Sequence, residues 1–168
     1  MAEQAANAGN GGNKGAGQTE QVQVRVIAQY IKDLSFENPN VRKLVETQDE
    51  GPNLRIEVNV NAAKVGDNKY ESSIQLKAEA TGKIGTIYDL ELAFGGMFHI
   101  ENMSEASLEP FLLINCPSLL FPFVRRLVAD LTREGGFPPL LLDPIDFAGL
   151  FVKRQQEKMA QNQGKPAS

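Results

Sequence analysis

Apolar and polar residues alternate along four stretches in the first half of the chain. In Val22 to Phe36 the even positions are mostly apolar, with Lys32 as the exception. The same pattern recurs from Leu54 to Val60, from Tyr70 to Ala78 and from Tyr88 to Phe94. A period of two is typical of strands that bury one face and expose the other. Two connections are short and rich in turn residues, so we predict four strands in a mainly antiparallel meander.

Helical spacing replaces this alternation in the second half. Asn102 followed by Glu105 predicts a capped start for a short helix that Pro110 should end or kink. Apolar residues then recur at spacings of one, three and four, which predicts a helix from about Ser118 to Glu134. A further helix is predicted from Asp146, its cap, to about Met159. An antiparallel sheet followed by helices packed on one side indicates an α+β fold.

The segment between the two stronger helices, "GGFPPLLLDPIDFAGLF" (135–151), is apolar, yet its three prolines bar a continuous helix. Each large apolar side chain contributes about 1.5 to 3 kcal/mol when buried. The segment must therefore cover apolar surface, form one wall of a hydrophobic groove, or do both. Packing over the sheet is the simpler expectation, because large exposed apolar patches are uncommon on monomers.

Composition predicts one globular domain of moderate size. The chain has 168 residues, of which 42% are hydrophobic and 23% charged. Residues 1–20 contain no Val, Ile, Leu or Phe and are predicted to form an unfolded tail, followed by a domain at 21–152 and a polar helix end and tail at 153–168. We see neither a signal peptide nor a run approaching about 18 apolar residues. With its single cysteine, the chain is expected to be cytoplasmic.

The charge of the chain is acidic, with a net value of −4. This balance argues against nucleic-acid binding. If the alternation holds, the odd-numbered face of the sheet carries seven acidic and three basic residues: Asp33, Glu37, Glu57, Glu71, Glu79, Asp89 and Glu91 against Arg25, Arg55 and Lys77. A solvated face is the simpler interpretation, and a docking surface for a basic protein is the alternative.

The chain offers few candidates for catalytic or metal-binding residues. Cys116 and His99 form the only conceivable nucleophile and base pair, and nothing in the sequence brings them together. A buried inert thiol and a polar residue at a strand end are the ordinary interpretations. CxxC, HxxxH and EF-hand spacings are missing, and the glycines at 9–17 lack the phosphate-loop pattern. We therefore expect no enzymatic activity, no metal and no cofactor.

The stretch "NCPSLLFPFVRRLVADLTREGGFPPLLLDPIDFAGLF", together with "YIKDLSFENPN" and "FGGMFHI", resembles the SecB family of bacterial export chaperones. The resemblance covers roughly Val22 to Phe151. It implies a homotetramer, a dimer of dimers, without enzymatic activity or cofactor. Family members hold unfolded preproteins in a translocation-competent state and pass them to SecA, the ATPase of the Sec translocon. The alternatives are a structural oligomer whose apolar segment packs shut and, more distantly, an enzyme that uses Cys116.

The resemblance also implies roles for individual residues. In the family the linker between the two helices walls a groove for nonnative polypeptide, which here implies Leu54, Ile56, Val58, Phe137, Leu140, Leu142 and Phe151. Contacts with SecA are implied for Asp33, Glu37, Asp89 and Glu91, although relatives can carry leucine at the position of Asp89.

Subunit association is implied for Leu90, Leu92 and Phe94, and the wide helical stripe adds Leu120 and Leu127, since this apolar surface exceeds what one sheet and two helices need to cover. Relatives often carry a tryptophan shortly before the position of Pro52. This chain has Glu50 there and no tryptophan, so an aromatic subsite must use other rings.

Overall fold

The computed structural model describes residues 20–46 and 51–164, so the predicted N-terminal tail lies almost wholly outside the described residues. The elements, in chain order, are β1 (Gln23–Glu37), α1 (Val41–Glu46), β2 (Asn53–Gly66), β3 (Lys69–Gly82), β4 (Gly85–Glu101), α2 (Glu105–Pro110), a π-helical turn (Phe111–Asn115), α3 (Cys116–Glu134) and α4 (Phe147–Gln163). The α+β prediction is confirmed. The short helix α1, in the long crossing from β1 to β2, was not predicted.

The four strands form one antiparallel sheet in the order β1-β4-β3-β2. β2, β3 and β4 follow one another as a meander, whereas β1 pairs with β4. The expectation of a simple meander is therefore wrong for β1. The long crossing carries the chain from one edge of the sheet to the other, which gives a Greek-key order.

Two one-residue bulges interrupt β1, one after Val26 and one after Ile31. Each bulge reverses the faces to which the following side chains point. Between the bulges, Tyr30 lies on the face away from the helices, where its hydroxyl bonds to Glu71 of β3. Lys32 also pairs with Glu71. The predicted alternation thus holds at both ends of β1 and fails between the bulges, at Ala28 and Tyr30. Lys32 is the extra residue of the second bulge.

The core lies between α3 and the two central strands. Its fully or nearly fully buried members include Ile74, Leu76, Ala78, Leu90, Leu92, Phe94, Phe98, Leu120, Val124 and Val128. A Cβ at Gly96 of β4 would lie 2.7 Å from Leu120 Cδ2, so only glycine allows the helix to approach this closely. One face of the sheet is therefore covered along its middle, while the flanking strands β1 and β2 are covered less.

The two predicted helices are joined into one helical run, Glu105–Glu134. Pro110 does not end it, because the π turn follows directly and absorbs the interruption of the hydrogen-bond ladder. Pro117 lacks the N–H that would bond five residues back to the Leu112 carbonyl. The buried Ser72 hydroxyl of β3 donates to this oxygen instead, at 2.8 Å.

The joined run bears on the expectation that no run approaches about 18 consecutive apolar residues, which still holds because Asn115 and Ser118 interrupt it. By length and composition, Glu105–Glu134 would suffice to cross a membrane. Of its apolar window, 44% is buried inside the fold, where Leu120, Val124 and Val128 of α3 belong to the core.

The starts of the helices agree only in part with the prediction. Asp146 is the N-cap of α4, and its carboxylate accepts a 2.9 Å hydrogen bond from the Gly149 N–H, which confirms the predicted cap. The N-cap of α2 is Ser104 rather than Asn102. Asn102 adopts a left-handed conformation with φ 60°, and its amide donates to the Gln21 carbonyl. Its side chain thus holds the start of β1 rather than capping the helix.

Candidate functional site

A cavity of about 540 Å³ lies between the outer strand β2 and the helix α4. Its apolar lining comes from Val58, Val60, Leu113, Leu150 and Phe151, and its polar rim includes Asn59, Asn61, Gln75, Lys153, Arg154 and Glu157. Two predicted groove residues, Val58 and Phe151, thus come together here. Val60, Leu113 and Leu150 were not in the predicted set, although Val60 continues the same alternating strand.

The apolar surface continues from this cavity along β2. Leu54 and Ile56 precede Val58 on the same face of the strand, and their exposed fractions are 42% and 41%. Such exposure is high for large aliphatic side chains on the face that packs the helices. The three predicted β2 residues therefore form an open apolar strip that leads into the cavity.

The wall formed by α4 is tied to the rest of the fold by polar contacts. Arg154 Nη1 donates a 2.8 Å hydrogen bond to the carbonyl oxygen of Val60. Further along the helix, Lys158 Nζ lies 3.5 Å from a carboxylate oxygen of Glu109. At the other end, Phe147 is buried against Phe121 in an edge-to-face contact with ring centroids 6.0 Å apart. The helix is therefore anchored by apolar packing at its start and by exposed polar contacts beyond it.

Phe137, at the start of the linker (residues 135–146), belongs to a separate aromatic cluster. Its ring centroid lies 5.0 Å from that of Tyr88, which stacks at 5.7 Å on Phe36. A Cβ at Gly135 would lie 2.5 Å from the Phe36 ring, so the glycine makes room for this cluster. Phe36 and Tyr88 were missed as site residues because their strand positions already explained them as core. Position 50 lies outside the described residues.

The three consecutive linker leucines have different environments. Leu140 is half-buried and packs against the core, Leu141 is 70% exposed and Leu142 is only 4% exposed. Leu142, predicted as a groove residue, therefore supports the linker from the core side. The linker both covers part of the core and presents apolar side chains outward.

The opposite face of the sheet is acidic, as the odd positions predicted. The strand register aligns Glu57, Lys77 and Glu91 in one row across the sheet, and Glu79, Asp89 and Glu37 in the next row. A shallow depression of about 340 Å³ is lined by Asp33, Glu57, Lys77 and Glu91, among others. All four residues that the resemblance assigned to SecA contact therefore share this face.

Lys77 is the cation at the middle of this acidic face. Its Nζ lies 3.1 Å from a Glu91 carboxylate oxygen and 3.6 Å from one of Asp89. The hydrogen bond to Glu91 and the charge of Asp89 raise the pKa of Lys77 above its ordinary value. Near the other end of the face, hydrogen bonds from Lys32 and Tyr30 lower the pKa of Glu71.

The residues predicted for subunit association are mostly internal to one chain. Leu90, Leu92, Phe94 and Leu120 are buried, and Leu127 is half-buried. The premise that one chain cannot cover this surface is therefore wrong, because α3 packs directly over β4. Large apolar side chains are instead left exposed on β1 and on the outer side of α3, namely Val24, Val26, Ile27, Ile31, Leu34, Leu119 and Phe123.

Cys116 and His99 have unrelated environments. Burial raises the pKa of the Cys116 thiol to about 12, so the thiolate is scarce at neutral pH. His99 Nε2 lies 2.7 Å from a carboxylate oxygen of Glu101. In the part of the chain that the structure describes, no group of three His, Cys, Asp or Glu side chains could hold a metal ion.

Comparisons with known proteins agree with this fold. The family model described as "Preprotein translocase subunit SecB" matches residues 17–158. The protein-export protein SecB of Parvibaculum lavamentivorans is 45% identical over 94% of this chain and 94% of its own length. That of Afipia carboxidovorans is 46% identical over 86% of this chain and 90% of its own length.

Among solved structures, a SecB-like chaperone of Mycobacterium tuberculosis, in complex with a ChAD peptide from an antitoxin, matches with a TM-score of 0.58. The alignment covers 73% of this chain and 90% of that chain at 14% identity, so this likeness concerns the fold alone. The family match and the relatives, by contrast, span most of the sequence, and the relatives are 45% and 46% identical to it. This chain belongs to the SecB family.

Proposed function

We propose that this protein is a cytoplasmic export chaperone that holds unfolded preproteins in the apolar groove formed by β2, α4 and the linker. It acts without enzymatic activity, metal or cofactor. One observation carries the proposal: the exposed strip of Leu54 and Ile56 leads into the 540 Å³ cavity beside Val58 and Phe151. The relatives that carry the name of a protein-export protein support it.

The chemistry of such a groove suits clients that share only exposed apolar side chains. A broad surface with adaptable apolar walls accepts many sequences, whereas a closed pocket selects one. Each half-exposed leucine or isoleucine contributes only weakly to binding. Several grooves linked in one oligomer raise the effective concentration, so a long client is held tightly and released stepwise.

Delivery to SecA is assigned to the acidic face. The groove cavity and the acidic depression share Asn59 and Gln75 at their borders. None of the four residues proposed for SecA lines the groove cavity, so client and SecA need not compete for them: Asp33, Glu37, Asp89 and Glu91. Four chains of net charge −4 give about −16 on a tetramer, which would attract a basic segment and speed its association.

Assembly as a dimer of dimers is the matching proposal for the exposed apolar residues of β1 and α3. β1 is an edge strand, and uncovered edges with apolar side chains are aggregation sites unless a partner covers them. Light scattering should give about 74 kDa, four times 18.4 kDa, at micromolar concentration. A mass near 18.4 kDa would contradict the assembly.

The rival function, a structural oligomer with a closed linker, is favoured by the burial of Leu142. The two functions differ in a direct assay. An export chaperone should suppress the aggregation of an unrelated unfolded polypeptide at stoichiometric amounts without nucleotide. Aggregation that proceeds unchanged in the presence of the intact oligomer would reject the proposal.

A further inference from the structure

The linker contains a run of three leucines whose register its own sequence cannot set. Leu140, Leu141 and Leu142 are chemically identical, and successive side chains of an extended segment point to opposite sides. A slip that places Leu141 at the buried position would bury the same side-chain type, so the leucines do not exclude it, whereas the opposite slip would bury Asp143. The structure nevertheless shows Leu141 70% exposed and Leu142 4% exposed. A contact outside the leucines must select this arrangement.

Thr132, in the last turns of α3, supplies that contact. Its side chain is fully buried, and its hydroxyl donates to the Val128 carbonyl at 2.9 Å. The same oxygen accepts a 2.9 Å hydrogen bond from the Leu140 N–H. A threonine hydroxyl has one proton and two lone pairs, so it can serve both partners at once. The carbonyl of Thr132 also accepts the Phe137 N–H at 3.1 Å.

Two prolines lie between the Phe137 and Leu140 amides and stiffen the segment that Thr132 holds. Pro138 and Pro139 have no N–H and a fixed φ, so they form a stiff bridge without donors of its own. The amides that flank this bridge, at Phe137 and Leu140, both end on Thr132. One residue of α3 thus holds the diproline bridge at both ends and fixes where the leucine run begins.

We propose that Thr132 is a positioning residue whose hydroxyl sets the register of Leu140–Leu142. In this way it keeps the linker wall of the client groove preformed. The slip that buries Leu141 would bring Pro139, which has no N–H, to the Thr132 hydroxyl and leave the Leu140 N–H without its acceptor. A buried unpaired donor is unfavourable, whereas the leucine side chains alone do not exclude this slip. A wall that is already ordered loses less entropy when a client binds. The effect on clients rests on the chaperone function proposed above, while the effect on register does not.

Two variants of Thr132 separate the hydroxyl from the rest of the side chain. Thr132→Val keeps the shape and removes the hydroxyl, whereas Thr132→Ser keeps the hydroxyl and removes the methyl group. Both change a buried site, so a general loss of packing would affect both, and only the loss of the hydroxyl is specific to Thr132→Val. We expect the Leu140 amide to be protected from hydrogen exchange in the wild type and in Thr132→Ser, and to lose about tenfold in protection in Thr132→Val.

The register itself is read from leucine methyl NMR with a soluble gadolinium chelate. In the wild type and in Thr132→Ser, Leu141 methyl signals should be broadened and Leu142 signals spared. In Thr132→Val the two residues should become more alike. The proposal would be overturned if the wild-type Leu140 amide exchanged as fast as the Leu141 amide. Methyl broadening in Thr132→Val that matches the wild type would also overturn it.

The rate at which the protein releases an unfolded client tests the effect of Thr132 on client binding. The probe is a fluorescein-labelled, reduced and carboxymethylated α-lactalbumin, which remains unfolded. Its dissociation should be about three- to tenfold faster from Thr132→Val, the change expected for one lost hydrogen bond, and within about twofold of wild type from Thr132→Ser. Equal release rates for the two variants would reject the role in client binding. Failure of the wild type to hold the probe would instead reject the chaperone function, and the exchange and methyl data would still decide the register.

Discussion

The phenol of Tyr30 on β1 reaches over β4 and donates a hydrogen bond to the carboxylate of Glu71 on β3. Gly95, opposite Tyr30 on β4, makes room for the contact, because a Cβ there would lie 3.0 Å from the Tyr30 ring and the ring would have to shift. Lys32 pairs with the same carboxylate. Glu71 therefore links the edge strand to the interior of the sheet across a glycine.

This contact predicts a specific dependence of stability on pH. Hydrogen bonds from Lys32 and Tyr30 lower the pKa of Glu71 below 4.5 in the folded state. A carboxyl whose pKa is lower in the folded state stabilises the fold at pH values above its pKa in the unfolded state. This contribution is lost as the pH falls through the pKa of the folded state. Glu71→Gln should therefore cost about 1 kcal/mol at pH 7 and show a flatter decline below pH ~4.5.

Urea unfolding at fixed protein concentration between pH 3 and pH 7 measures the effect. Glu134→Gln removes the same charge from an exposed helix end and serves as the control. The free energy of unfolding of Glu134→Gln should decline with falling pH as that of the wild type does. If the curves of Glu71→Gln and wild type run parallel, the carboxylate does not couple to folding in this way.

The linker leucines predict unequal costs for the same substitution. Leu142→Ser removes a side chain that is 4% exposed and should lower the free energy of unfolding by about 2 to 5 kcal/mol. Leu141→Ser acts at a side chain that is 70% exposed and should change it by less than about 0.5 kcal/mol. Denaturant titrations of the two variants measure both free energies of unfolding. Equal losses in the two variants would contradict the register of the linker leucines.

Periodicity alone was enough to predict the four strands and the α+β class. It could not place Tyr30, because nothing in the local sequence marks a one-residue bulge except the misplaced Lys32. It also could not choose the neighbour of β1, since a long crossing constrains the pairing of the strands it joins very little. The continuity of the long helix depends on a π turn and on the distant Ser72 hydroxyl, a contact that no local pattern encodes.

Some residues of the candidate site could be predicted from the sequence and others could not. Val58 and Phe151 could be placed at the groove from the resemblance, and the structure brings both to one cavity. The burial of Leu142 could not be foreseen, because three identical leucines carry no pattern of their own. Likewise, Leu90 and Leu92 are apolar whether they face another chain or their own helix, so sequence alone could not distinguish the two.

The acidic face predicts a charge-dependent loss of partner binding. Reversing Asp33 and Glu37 to lysine should weaken the affinity for SecA, and the remaining binding should depend less on salt because fewer charge pairs are screened. Client affinity should stay nearly unchanged, since neither residue lines the groove cavity. Calorimetry at two salt concentrations measures the first effect. Equal losses of SecA and client affinity in an intact oligomer would argue against separate surfaces.

The groove predicts a variant that loses client affinity without losing stability. Ile56 is 41% exposed beside the cavity, so Ile56→Ser should cost less than about 1 kcal/mol in unfolding free energy. A bound client would bury the same side chain, so the variant should release unfolded polypeptide several-fold faster. Val65→Ser, at an exposed apolar residue near the far end of the same strand, is the matched control and should release clients as the wild type does. Faster release from both variants would point to general loosening of β2, and unchanged release from Ile56→Ser would remove this strip from the groove.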